Sequence, residues 1–150
     1  MPQYFLKTFG CQQNVADSER IAAFYESRGF VAAEREEDAD TIVINTCVVR
    51  ERAAEKVFGL IRNLAPLRKK NPELSVVITG CLIGAASREP SGKMMKALRA
   101  RLPDVQFLPL EEVGFEFAPK RSTGNLASIP ISNGCNNFCT YCIVPFSRGK

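Results

Sequence analysis

Three predicted strands in this chain end the same way, and that repetition limits the fold more than any other feature. The endings are Thr8-Phe-Gly-Cys11, Val43-Ile-Asn-Thr-Cys47 and Val77-Ile-Thr-Gly-Cys81. Thr41–Asn45 and Ser75–Thr79 are continuous apolar or β-branched runs, the pattern of strands buried on both faces of a parallel sheet. Gln3–Phe9 predicts a further strand, Phe30–Ala33 a short one, and Val105–Leu108 the last of the unit. Between them the apolar spacing predicts helices. One runs from about Asn14 to Arg28, with Asn14 or Asp17 as its cap, Ile21, Phe24 and Tyr25 as its stripe, and Gly29 as its stop. A second spans roughly Arg50 to Lys70, with Ala54, Val57, Phe58, Ile61 and Leu64 inward and a kink at Pro66. A third covers about Gly92 to Leu102. Strands alternating with helices at this spacing define an α/β fold with an open, mostly parallel sheet flanked by helices.

The carboxyl ends of all strands in such a sheet lie along one edge, where ligands bind. Cys11, Cys47 and Cys81, 36 and 34 positions apart, can therefore converge. The helix starts that follow favour thiolate. Three thiolates without a fourth partner suit a cubane cluster with one open iron better than structural zinc, which takes four protein ligands. The competing reading is three buried, small apolar side chains. The chain has no histidine, so any metal chemistry rests on thiolates and oxygens. With no long apolar leader at Met1–Lys7, a cytoplasmic location is expected, and there six cysteines point to metal or redox work rather than a disulfide frame.

Ser122-Thr-Gly-Asn125 is polar and turn-rich, which sets a boundary between an α/β domain over residues 1–124 and a second unit over 125–150. Leu126–Ser132 is expected to form a new strand delivering the loop Cys135-Asn-Asn-Phe-Cys139-Thr-Tyr-Cys142. A C-x3-C-x2-C loop can wrap three corners of a [4Fe–4S] cube and leave the fourth iron open. The bacterial ferredoxin spacing differs, and zinc would need a second pair of ligands that the loop lacks.

Charge is uneven. Residues 1–48 carry 4 basic and 8 acidic groups, whereas 49–102 carry 12 basic and 4 acidic. The basic middle suits a nucleic-acid partner or simply solvated helix faces, and Arg68-Lys69-Lys70 either meets phosphates or caps a helix. Arg50 and Arg52 sit oddly near the start of a helix and suit an anionic partner, with a salt bridge to Glu51, Glu55 or a neighbour as the alternative. Asn45, Thr46, Gln12 and Asn14 are candidates to hydrogen-bond a cluster sulfide, with turn capping as the alternative.

Taken together, Thr8-Phe-Gly-Cys11-Gln-Gln-Asn14, Asn45-Thr-Cys47-Val-Val-Arg-Glu-Arg-Ala-Ala-Glu-Lys-Val57, Gly80-Cys81 and Gly134–Gly149 resemble the radical S-adenosylmethionine (radical-SAM) methylthiotransferases. The stretch after Cys47 is most similar to the branch that methylthiolates isopentenyl-adenosine beside the tRNA anticodon. Sister branches act on threonylcarbamoyl-adenosine or on a ribosomal protein. The resemblance implies two [4Fe–4S] clusters and S-adenosyl-L-methionine. It makes Cys135, Cys139 and Cys142 ligands of the radical-SAM cluster. Cys11, Cys47 and Cys81 become ligands of a second cluster that supplies or carries sulfur. Tyr141 matches the aromatic beside the cofactor's adenine, with loop packing as its alternative.

The resemblance further implies a tRNA anticodon stem-loop as partner, an electron donor such as flavodoxin or ferredoxin, a monomer, and no membrane. On this reading residues 125–150 are the first strand and cluster loop of a truncated radical-SAM barrel. The chain is then an N-terminal part, expected to be inactive alone. The reading from another class is a zinc-thiolate RNA-binding module, expected to hold about one zinc and no labile sulfide.

Overall fold

The computed structural model describes all residues except Arg50, Phe115, Phe117, Ser122 and Thr123, and only the backbone of Glu51–Ala54. Its centre is a five-stranded sheet of β1 (Gln3–Phe9), β2 (Val31–Ala32), β3 (Thr41–Thr46), β4 (Ser75–Gly80) and β5 (Gln106–Leu108). Every pairing is parallel and the spatial order is β2-β1-β3-β4-β5. This is the flavodoxin-like order, in which the chain reverses its direction of travel between β1 and β3 and opens a crevice there.

Side-chain alternation along β3 builds two cores. Ile42 and Ile44 face one layer with Val57, Ile61, Leu64, Ile78 and Ile83. Val43 faces the other, with Tyr4, Ile21, Phe24, Tyr25, Leu110 and Val113. All six residues of β3 are buried, which explains why the strand reads as an unbroken run.

Helix α1 spans Gln12–Glu26, two residues earlier at each end than the apolar spacing predicts. Cys11 occupies the N-cap position; Asn14 lies within the first turn and accepts a hydrogen bond from the Cys11 backbone N–H at 3.2 Å. Asp17 caps nothing. It is fully buried in the middle of the helix. The expected long second helix is two, α2 (Glu51–Asn63) and α3 (Ala65–Lys70), divided at Leu64, with Pro66 in the first turn of α3, where its missing N–H has no helical partner to lose. Arg50, and the side chains of Arg52 and Ala54, lie outside the described residues.

Helix α4 (Cys81–Arg88) is a finding that the sequence pattern does not announce. Cys81–Ala86 are all buried, so this helix has no polar face to give it a period, and Gly84 weakens its propensity. Helix α5 runs from Lys93 to Arg101 and α6 is the single turn Leu110–Val113.

The strand expected over Leu126–Ser132 is not formed. Among the described residues no strand pairs with this segment, and Leu126, Ile129 and Ile131 are exposed. The boundary expected over Ser122–Asn125 falls partly on residues outside the description. After the cysteine loop the chain closes with α7 (Val144–Arg148), which docks on α4.

Candidate metal and cofactor site

Strand register is what brings the first three cysteines together. Phe9 pairs with Thr46, and Thr46 with Gly80, so one row of the sheet ends β1, β3 and β4 side by side. Adjacent parallel strands lie about 4.8 Å apart. Cys47 and Cys81 each follow that row by one residue and Cys11 by two. The Cys47 N–H still donates to Phe9 O at 2.9 Å, extending the ladder to the thiol.

Gly80 makes the last step possible. Its φ is 96°, and a Cβ there would stand 2.4 Å from Asn45 Oδ1 and 2.5 Å from the Thr46 carbonyl oxygen. Only glycine lets β4 turn into α4 so close to β3.

All three thiols line one cavity of about 290 Å³, together with Gln13, Val49, Asn133, Ser147 and Arg148. Cys47 and Cys81 are 4% and 6% exposed, whereas Cys11 stands at the open side. All six cysteines are free. Burial pushes the Cys81 thiol up, against the pull of Arg148, whose Nη1 donates to Cys81 Sγ at 3.2 Å.

Arg148 itself is 8% exposed and its Nη2 reaches both Asp17 oxygens at 2.9 Å. Burial works to lower the Arg148 guanidinium, but Asp17 and Cys81 together outweigh it and push the group up. Asp17 was the least legible member of this group as a cap candidate, yet it carries a signal. It lies four and seven residues before Ile21 and Phe24, an acid in line with an apolar stripe.

The second cysteine loop is pinched shut at its base. Cys135 N–H donates to Gly149 O at 3.1 Å, and Arg148 Nε donates to Asn133 O at 2.9 Å. Arg88 Nη1 donates to Ser147 O at 2.9 Å, and Gly84 clears the way: a Cβ there would lie 2.0 Å from that same oxygen. Within the loop, Cys135 and Cys142 are half-buried and Cys139 is exposed. Phe138 has a φ of 46°, a conformation that costs a non-glycine residue about 1–3 kcal/mol and recurs at ligand-binding loops. Tyr141 is 90% exposed, so packing within the loop does not account for it.

Several expected contacts resolve differently. Asn45 is buried and spends its amide on α1, donating to Asn14 O at 2.8 Å and Ser18 Oγ at 2.9 Å and accepting from Asn14 Nδ2 at 3.1 Å. It ties β3 to α1 and leaves nothing for a sulfide. Thr46 Oγ1 approaches the neighbouring Cys47 carbonyl at 3.4 Å, and Gln12 Nε2 bonds Ser128 Oγ at 3.1 Å. The neighbour that pattern reading passed over, Gln13, is the one at the cavity, where its side chain also faces Asp17 and opposes the rise of that carboxyl. Arg68 donates to Asp104 O at 2.8 Å, which leaves Lys69 and Lys70 as the exposed basic pair of that triplet.

The donor chemistry fits an iron–sulfur group. Among the described residues no three Cys, Asp or Glu side chains are gathered tightly enough for a single ion. Cys11, Cys47 and Cys81 line a wall instead, around a space larger than one ion fills. Cys11, Cys47 and Cys81 would hold a polynuclear cluster there, each through its own thiolate.

Fold and site together define a thiol-bearing α/β domain of flavodoxin-like order, with its cysteines along the carboxyl edge on both sides of the switch point. Residues 3–99 match the sequence pattern of the family described as Uncharacterized protein family UPF0004, and the chain belongs to that family. It is 39% identical to the tRNA-2-methylthio-N(6)-dimethylallyladenosine synthase of Dictyoglomus thermophilum, over 100% of this chain and 39% of the relative. The protein of the same name from Dehalococcoides mccartyi is 39% identical over 100% of this chain and 36% of its own length. That of Carboxydothermus hydrogenoformans is 41% identical over 98% and 38%. The chain thus spans under two fifths of the length of these curated relatives. No helix among the described residues is long and apolar enough to cross a membrane.

Proposed function

We propose that this chain is the N-terminal part of a tRNA methylthiotransferase that adds a methylthio group to C2 of N6-dimethylallyladenosine beside the anticodon. The observation that carries the reading is the convergence of Cys11, Cys47 and Cys81 on a single cavity at the sheet edge. That cavity is walled on its far side by the segment that closes the second cysteine loop. The names of the relatives point the same way.

In this reading Cys11, Cys47 and Cys81 hold one [4Fe–4S] cluster. Cys135, Cys139 and Cys142 would hold another, the one that would bind S-adenosyl-L-methionine. When bound, these groups supply the radical and sulfur chemistry. The protein's own residues do the rest. The parallel ladder spaces the first three thiols. Gly134 and Ile143, which flank the second loop, line the same cavity. Burial of Cys47 and Cys81 keeps water from the inner wall, and exposed Tyr141 is free to lie against the cofactor's adenine. Lys69 and Lys70 offer charge to tRNA phosphates. An electron donor of the flavodoxin or ferredoxin kind, a monomeric state and a cytoplasmic location complete the proposal, and residues 125–150 open the radical-SAM unit.

Anaerobic reconstitution of the complete protein is expected to yield about eight iron and eight acid-labile sulfide per chain, two cubes of four. Changing Cys11, Cys47 and Cys81 together to Ala should reduce both to about four. One zinc and no sulfide would favour the zinc-thiolate module instead. Nucleoside mass spectrometry of tRNA from cells lacking the complete protein should show loss of the 2-methylthio group from one adenosine derivative. An intact profile sinks the substrate assignment.

A further inference from the structure

Arg148 is separated from Cys81 by 67 residues and from Asp17 by 131, yet the three meet beside the thiol cavity. We propose that Arg148 is a positioning residue for the first thiol set, holding a fixed positive charge against Cys81 so that an anionic cluster in the cavity is easier to reduce. The inference rests on the two-cluster reading above.

The geometry separates this role from simple docking of α7. The bidentate contact of Nη2 with Asp17, at 2.9 Å to each oxygen, and the Nε bond to Asn133 O at 2.9 Å already anchor the side chain. Nη1 is left over, and it points at Cys81 Sγ, 3.2 Å away. Asp17 does not cancel the charge. Its Oδ1 is also 3.4 Å from Arg20 Nη1, so the carboxylate is divided between two guanidiniums.

A thiolate-held cluster is anionic and gains a further negative charge on reduction. A cation donating to a ligating sulfur therefore favours the reduced form, and does so strongly where water is excluded. Partners that orient a ligating side chain in this way tune the metal they do not touch. The same guanidinium ties the exit of the Cys135–Cys142 loop to α1 and α4. One side chain thus poises the first thiol set and fixes its distance from the second.

The test uses the complete protein with Cys135, Cys139 and Cys142 changed to Ala, so that one cluster remains, reconstituted anaerobically and titrated by spectroelectrochemistry. Arg148→Gln is expected to keep about four iron per chain and to lower the equilibrium constant for one-electron reduction about tenfold, a shift of about 59 mV to more negative potential. Arg148→Lys, which retains the charge, should shift less than half as far. An unmoved potential in iron-loaded Arg148→Gln, or equal loss of iron from both variants, overturns the assignment. A parent that takes up no iron at all overturns the two-cluster reading, and this inference with it.

Discussion

Asp17→Ala is expected to destabilise the α/β domain by about 3–5 kcal/mol, the range for removing one partner of a buried ion pair. Asp17 is fully buried and accepts from two guanidiniums, Arg148 at 2.9 Å and Arg20 at 3.4 Å. Its loss leaves the buried Arg148 charge without a counterion. Burial alone would raise the Asp17 carboxyl, and both arginines oppose that rise. At a urea dependence of about 1–3 kcal/mol per molar, the denaturation midpoint followed by circular dichroism should fall by more than about 1 M. Asp17→Asn should cost more than half as much, because an amide replaces the shape and not the charge. The double variant Asp17→Leu, Arg148→Met should be less destabilised than Asp17→Ala, since the penalty lies in the orphaned charge rather than in the absent pair. A single-variant cost below about 1 kcal/mol would mean that the pair does not form in solution.

Gly80→Val is expected to be at least as damaging and to abolish iron binding at the first thiol set. The backbone at Gly80 has φ 96° and ψ −164°, a region essentially confined to glycine. Backbone strain of about 1–3 kcal/mol adds to the collision of the new Cβ with β3, 2.4 Å from Asn45 Oδ1 and 2.5 Å from the Thr46 carbonyl oxygen. Neither neighbour can retreat. The Asn45 amide is bonded to α1 on three sides, and Thr46 belongs to the central strand. Relief therefore has to come from β4 pulling away, which carries Cys81 out of the row shared with Cys47. Iron in the complete protein should drop by about half, as for the triple cysteine variant. Gly59→Ala serves as the contrast, because a Cβ there meets nothing within 4 Å. Full iron in Gly80→Val would show that Cys81 does not need this turn.

Both variants act on contacts that differ in how far sequence pattern reveals them. The strands and their cysteines were legible because parallel strands buried on both faces must be apolar along their length. The chain must also turn at the carboxyl edge before each helix. Given that topology, Cys11, Cys47 and Cys81 had one edge on which to meet. Helix α4 was invisible for the converse reason, since a helix buried on all sides has no period to detect. The strand expected over Leu126–Ser132 failed because β-branched composition describes a segment that suits a ladder and cannot supply the neighbouring strand. The capping role expected for Asp17 failed because propensity weighs a carboxylate against its own helix alone. Here a guanidinium 131 residues away decides its place.

From its residues alone, this chain is committed to an α/β sheet with thiols at three strand ends and to a separate loop with three more. Those features are local or periodic, and each is written within a few residues of itself. Which thiols share a cavity wall with the second loop and which arginine reaches sulfur were settled by the return of α7 onto α1 and α4. Such contacts form when distant segments bury charge and sulfur together, and their energy depends on a desolvated geometry that no stretch of sequence contains by itself.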